Sequence, residues 1–122
     1  MMRAASLVLA AAVSIQNAEH YRWGDCCDGW YLVKNDAMNI IQERMPPGTA
    51  ETLHKHGKAQ QFFFVISGEA TIDIEGKPTT LTTGQGVLVA PGLAHRVQNR
   101  SKEDLNLLVT SQPPSHGDRV DI

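Results

Sequence analysis

His54 and His56 stand two residues apart, with only Lys55 between them. On a β-strand that spacing sends both imidazoles out of one face, because successive side chains alternate between faces. Two neutral imidazoles on one face can share a divalent ion, for which imidazole is a common ligand. A third ligand has to come from elsewhere in the chain, and His95, placed just after a tight Pro91-Gly92 turn, is the candidate. Gln61 opens an aromatic run and shares a face with Phe63 and Val65, so its amide is also expected to point inward.

The elements that must position these groups are short strands. Gly and Pro punctuate the chain at close intervals, at Gly24, Gly29, Pro46-Pro47-Gly48, Gly57, Gly68, Gly76, Gly84, Gly86 and Pro91-Gly92. Between them lie runs long enough only for strands. Met38 to Met45 alternates, with Ile41, Glu43 and Met45 on one face and Met38, Ile40 and Gln42 on the other. Phe62 to Ile66 is aromatic and β-branched throughout and reads as a strand buried on both faces, the outer one against a partner sheet. Ala70 to Glu75 alternates with Ile72 and Ile74 inward, then turns at Glu75-Gly76-Lys77. Val87 to Ala90 and Leu105 to Thr110 complete the set. Many short strands with frequent turns predict an all-β sandwich or barrel, closed so that its edges are covered.

These residues resemble the two motifs of the cupin family. Gly48, five residues, His54-Lys-His56, four residues, Gln61, six residues and Gly68 resemble the first. Gly84, five residues, Ala90-Pro91-Gly92, His95 and Asn99 resemble the second. The resemblance covers Gly48 to Asn99 and implies a double-stranded β-helix, or jelly-roll, barrel over 19–122, behind a short extension over 1–18. It also implies one divalent ion (zinc, nickel, manganese or iron) held by His54, His56, Gln61 and His95. Two positions depart from the family pattern. Ala90 replaces a proline, and Gln61 occupies a slot that is usually glutamate.

The second departure bears on chemistry. Three imidazoles and an amide are all neutral, so a divalent ion would keep its full charge. Such a site suits polarising a carbonyl or stabilising an enolate in an anionic substrate. A carboxylate ligand would instead suit oxygen activation, as in two-histidine-one-carboxylate iron sites. Two roles stay open for Gln61: a ligand, or a partner that hydrogen-bonds one. The leading expectation is a Lewis-acid isomerase, lyase or cyclase acting on a small, oxygen-rich substrate. A metal-dependent dioxygenase and a non-catalytic small-ligand-binding module are the alternatives. No catalytic base can be assigned, with Glu43, Glu51 and His116 as available groups.

Composition bounds the rest. A chain of 122 residues, 42% hydrophobic, builds one compact core. A net charge of -2 with scattered Lys and Arg gives no basic face for nucleic acid or an anionic membrane. Cys26 and Cys27 are adjacent, a spacing at which two cysteines rarely bond to each other, and a reduced intracellular protein is the simpler expectation. Arg3 and the apolar run to Val13 also outline a short secretory signal over 1–14, so a secreted or periplasmic protein is the alternative to a cytoplasmic one. Tyr21, Trp23, Trp30 and Tyr31 are expected in the core or at a homodimer contact rather than on a ligand. His20 and His116 are expected at the surface or in packing, and the tail around His116 either folds over the barrel mouth or stays solvated.

Overall fold

The computed structural model describes residues 11–122, and its regular structure is entirely β. Eleven strands follow in order: β1 (Glu19–Trp23), β2 (Cys27–Lys34), β3 (Asn39–Met45), β4 (His54–His56), β5 (Gln60–Ser67), β6 (Glu69–Ile74), β7 (Lys77–Thr82), β8 (Gly86–Val89), β9 (His95–Gln98), β10 (Leu105–Gln112) and β11 (Arg119–Asp121). They form a six-stranded sheet, β1-β2-β3-β10-β5-β8, and a five-stranded sheet, β11-β4-β9-β6-β7. β10 lies between β3 and β5, and β9 between β4 and β6, so the chain passes repeatedly from one sheet to the other. This is the all-β double-stranded β-helix expected.

Alternation along each strand fills the space between the sheets. On β3 the inner stripe is Asn39, Ile41, Glu43 and Met45, each buried between half-buried neighbours. On β10 it is Leu105, Leu107, Val109 and Ser111. Phe63 and Val65 meet Ala70, Ile72, Leu81 and Val97 in one apolar cluster. The Glu75-Gly76 turn joins β6 to β7 with both residues at positive φ (51° and 80°), the two-residue hairpin whose twist matches the strands it joins.

Two expectations about edges and faces are corrected. The sheets remain distinct layers with strands at their margins, β1 and β8 in one and β11 and β7 in the other. β5 is buried on one face only. Phe63 is 2% exposed, whereas Phe62 and Ile66 on the opposite face are 41% and 38% exposed, beside Leu88 at 55%. No second layer of the described chain lies over that side of the sheet, so an aromatic run reads as doubly buried without being so.

β1 is tied down by charge. His20 Nε2 lies 2.7 Å from Asp28 Oδ1, and Arg44 Nε donates to Asp28 Oδ2 at 2.8 Å. Burial alone would raise the Asp28 carboxyl, but these hydrogen bonds bring it below the usual carboxylate range. Both cysteines are free, Cys27 buried and Cys26 half-buried. No helix among the described residues is long and apolar enough to cross a membrane. The first ten residues of the signal-like segment lie outside the described residues.

The tail folds back onto the barrel. β11 pairs with β4 in antiparallel register, setting Arg119 opposite His56 and Asp121 opposite His54. Just before it, the Asp118 carboxylate accepts from the backbone N–H of Gly57 (3.2 Å), Lys58 (3.0 Å) and Ala59 (2.9 Å). The strand that carries two histidines is thereby covered along one edge. Asp118→Ala is expected to speed amide hydrogen exchange at Gly57–Ala59 and across β11 while leaving β5 and β10 protected. Unchanged exchange at those amides would show that the strand ladder alone holds the tail.

Candidate functional site

β4 and β9 build the first wall of the site. His54 pairs directly with His95 across the two strands, which puts both side chains on one face. His56, two residues along β4, returns to that face, while Lys55 points to solvent. The ring centroids stand 4.4 Å apart for His54 and His95, 5.1 Å for His54 and His56, and 5.8 Å for His56 and His95. One ligand nitrogen from each ring lies within 4.8 Å of the others, and all three residues are buried. Two backbone bonds hold this wall: Gly92 N–H donates to His56 O at 2.7 Å, and Glu51 N–H to Val97 O at 2.9 Å.

The opposite sheet supplies the amide. Gln61 on β5 is 7% exposed and inward, whereas its neighbour Gln60 is exposed. Its Nε2 donates to Ser111 Oγ at 2.9 Å, which turns Oε1 toward His95 Nε2, also 2.9 Å away. All four residues singled out in the sequence therefore meet at one place between the sheets.

Hydrogen bonding sets what the rings present. His54 Nδ1 donates to Thr52 O at 2.7 Å, and His95 Nδ1 to Leu93 O at 2.9 Å. With the proton on Nδ1, a neutral ring leaves Nε2 bare and facing the others. His95 Nε2 and Gln61 Oε1 then face each other as two acceptors. Two ligands of one ion would stand at a similar separation, since donors at about 2.1 Å from a metal and about 90° apart lie about 3 Å from each other. His56 Nδ1 is buried with no hydrogen-bond partner among the described residues, a costly state that an ion bound through that nitrogen would relieve. The donor set fits a divalent cation.

Burial lowers the basicity of all three histidines. His56 is pushed down to about 4, by desolvation first and then by the two neighbouring rings. Desolvation likewise lowers His54 and His95. Each ring therefore stays neutral to a lower pH than free imidazole does, His56 most clearly, so ligand competence extends to lower pH than ring chemistry alone implies.

A cavity of about 260 Å³ opens beside the rings, lined further by Tyr21, Tyr31, Glu43, Glu51, His116 and Arg119. Glu43 and Glu51 are both raised, by burial first, and Glu43 also by the neighbouring Glu51 carboxyl. Glu51 is anchored, accepting from Val97 N–H at 3.0 Å. Tyr21 and Tyr31 correct an expectation: both face the cavity rather than only the core, with ring centroids 5.1 Å apart. Tyr21 gets there because Gly29 opposite it has no side chain; a methyl group at Gly29 would overlap the phenol ring. Ser111 and Asn39 were missed by the sequence reading. The available signal was a polar residue at the end of an inner stripe, which is otherwise apolar on β10 and carries Glu43 on β3.

Comparison with known proteins agrees with this geometry. The family described as "Cupin domain" matches residues 41–111, more than half of the chain. An uncharacterized protein of Streptomyces coelicolor is 33% identical over 89 residues, covering 71% of this chain and 83% of its own length. An oxalate-binding protein of Thermotoga maritima is 27% identical over 74 residues, covering 61% of each. The crystal structure of a predicted oxalate decarboxylase from Thermotoga maritima superposes with a TM-score of 0.78 at 20% identity, covering 84% of this chain and 99% of that one.

Two measurements follow from the site's packing and charge. Because the folded histidines bind protons more weakly than unfolded ones, stability in metal-free buffer should be complete above about pH 6.5. It should then fall as pH drops toward 4, with His56 contributing on the order of 2 kcal/mol. Thermal melts across that range should show the decline, and His56→Gln should flatten it; an equal decline in the variant would assign it elsewhere. Gly29→Ala should cost about 1–3 kcal/mol by displacing Tyr21. A melting midpoint equal to wild type would show that the ring turns aside freely.

Proposed function

Because the chain belongs to the cupin domain family, we propose that it is a metal-dependent enzyme using one divalent ion, held by His54, His56, His95 and Gln61, on a small oxygen-rich anionic substrate. The reaction classes that suit it are isomerisation, elimination or cyclisation, in which negative charge develops on substrate oxygen. A divalent ion in such a set supplies Lewis-acid stabilisation of that charge. The observation carrying this reading is the convergence of bare imidazole nitrogens on a neutral amide oxygen, with no carboxylate in the cluster among the described residues.

The chain's own residues do the remaining work. Ser111 and the backbone acceptors Thr52 O and Leu93 O fix the orientation of Gln61, His54 and His95. Arg119, carried beside His56 by β11, lines the cavity wall with its Nε donating to Asp121 Oδ1 at 2.7 Å, which leaves its terminal nitrogens for a substrate carboxylate. The tail and the two tyrosines line the cavity together with the histidines.

A second reading, a binding protein without turnover, draws support from the relative named for oxalate binding. Metal analysis of the purified, reconstituted protein addresses what the two readings share. One ion per chain is expected, with His54→Ala lowering metal affinity about a hundredfold or more and Gln61→Glu raising it. A wild-type protein that holds no stoichiometric ion after reconstitution would sink both. Conversion of small hydroxy- or keto-acids at an equal rate under strict anaerobiosis would then separate Lewis-acid chemistry from a dioxygenase, and unchanged ligands would favour the binding reading.

A further inference from the structure

Cross-strand register lays two rows of side chains over the cavity floor. Phe63, Val109, Ile41 and Tyr31 form an apolar and aromatic row across β5, β10, β3 and β2. The adjacent row is polar throughout: Gln61, Ser111, Asn39 and Lys34, one residue from each of the same strands. Neighbouring strands stand about 4.8 Å apart, so the backbone of Asn39 lies about 10 Å from that of Gln61 and the backbone of Lys34 about 14 Å. At one end of the row the polar groups are engaged, since Gln61 faces His95 and Ser111 holds it there. Asn39 is different. It is 6% exposed, and its amide makes no hydrogen bond to another described residue. The amide has access to a ligand, because Asn39 lines both the histidine cavity and a second, outer space of about 550 Å³. Tyr31 and His116 also line both, so the two spaces adjoin at these three residues. Lys34 belongs to the outer space, with its Nζ 4.3 Å from the centre of the Tyr31 ring and 3.4 Å from the Glu19 carboxylate. Glu19 and Asp36 offset its charge, so recognition at this end falls to the Asn39 amide, which has two N–H donors and a carbonyl acceptor.

We propose that Asn39 is a specificity-determining residue, whose amide donates to a carboxylate or hydroxyl oxygen at the tail of a ligand with its head on the ion. The inference rests on the metal reading above and adds a direction to it. Such a ligand lies along the polar row, from Gln61 past Ser111 to Asn39. The carbon chain between its two ends meets Val109, Ile41 and Tyr31, which line the same cavity. Oxalate, with its carboxylates on adjacent carbons, is too short to span this row. A longer acid that carries a second oxygen group at its far end is the class that fits. Because the outer space continues past Asn39, such ligands are selected by where their distal oxygens fall, and total size sets no limit.

The test holds the head constant and changes the tail. Cobalt(II)-loaded protein would be titrated by calorimetry with 2-oxohexanoate, 2-oxoadipate and 2-oxopimelate, with the visible cobalt spectrum reporting the head on the ion. The three share a chelating 2-oxo-carboxylate, and only the last two end in a second carboxylate. Wild type is expected to bind at least one diacid about tenfold or more tightly than 2-oxohexanoate. Asn39→Leu, similar in bulk and without polar atoms, should hold cobalt, bind 2-oxohexanoate within about threefold of wild type and lose most of the diacid preference. Asn39→Asp, which sets a carboxylate against the tail, should abolish that preference. Lys34→Gln should weaken diacid binding by no more than about threefold, since that ammonium is exposed and shared with Glu19. A wild type that does not prefer either diacid would overturn this inference, as would an Asn39→Leu variant that keeps the preference with cobalt bound. Both results leave the metal reading standing. A larger loss in Lys34→Gln than in Asn39→Leu would overturn the assignment to Asn39. If Asn39→Leu does not fold, the isosteric Asn39→Asp decides, and an undiminished preference there overturns the inference. Failure of wild type to hold cobalt would instead remove the metal reading, and this inference with it.

Discussion

A buried space shared by three imidazole rings is tolerable only while every ring is neutral. Two like charges a few ångströms apart, with little water between them, would repel by several kcal/mol. Much of the surrounding structure serves that constraint. The carbonyls of Thr52 and Leu93 hold the ring protons of His54 and His95 outward. The inner faces of both sheets keep the rings dry, which lowers their basicity further. What remains is a set of lone pairs aimed at one another, stable alone only at some cost. His56 Nδ1, buried and without a partner among the described residues, shows that cost most plainly.

Charge accounting extends outward from the rings. Gln61 adds an oxygen without adding a charge, and Ser111 keeps that oxygen turned to His95. Glu43 and Glu51, which might have supplied negative charge, are driven toward their neutral forms by burial. Arg119 is the cation on the cavity wall, and β11 places it opposite His56. That guanidinium is itself paired with Asp121, at 2.7 Å, so the charge it brings to the cavity is partly spent. Hydrogen bonding, more than net charge, then decides which anion fits.

Legibility in the sequence varied with the range of the interaction. His54 and His56 were readable because a strand's two-residue period is local and rigid. Gln61 was separable from Gln60 by its motif spacing to His56 and Gly68, and the strand turns it inward and Gln60 outward. The hairpin at Glu75-Gly76 was readable from turn chemistry alone. The same period failed for the Phe62 to Ile66 run, because composition does not tell whether a second layer covers a strand's outer face. It was silent on Tyr21 and Tyr31 as well. Their place in the cavity depends on the β1–β2 pairing and on the gap that Gly29 leaves.

The sequence by itself placed β3, β4, β5, β6, β8 and β10, the inward stripes of β3 and β6, and the side chains chemically able to hold a metal, but not β1, β2, β9 or β11. Those follow from alternation, turn residues and ligand chemistry, all of which act within a few residues. Only the tertiary structure decided that His95 would lie across from His54, that Gln61 would meet them from the other sheet, and that the tail would cover β4. These are contacts between residues 34 or more apart, fixed by which strands pair and how the layers stack. Glu43 illustrates the division. Alternation placed it on an inner face, but only the folded structure brought it to the cavity beside Glu51.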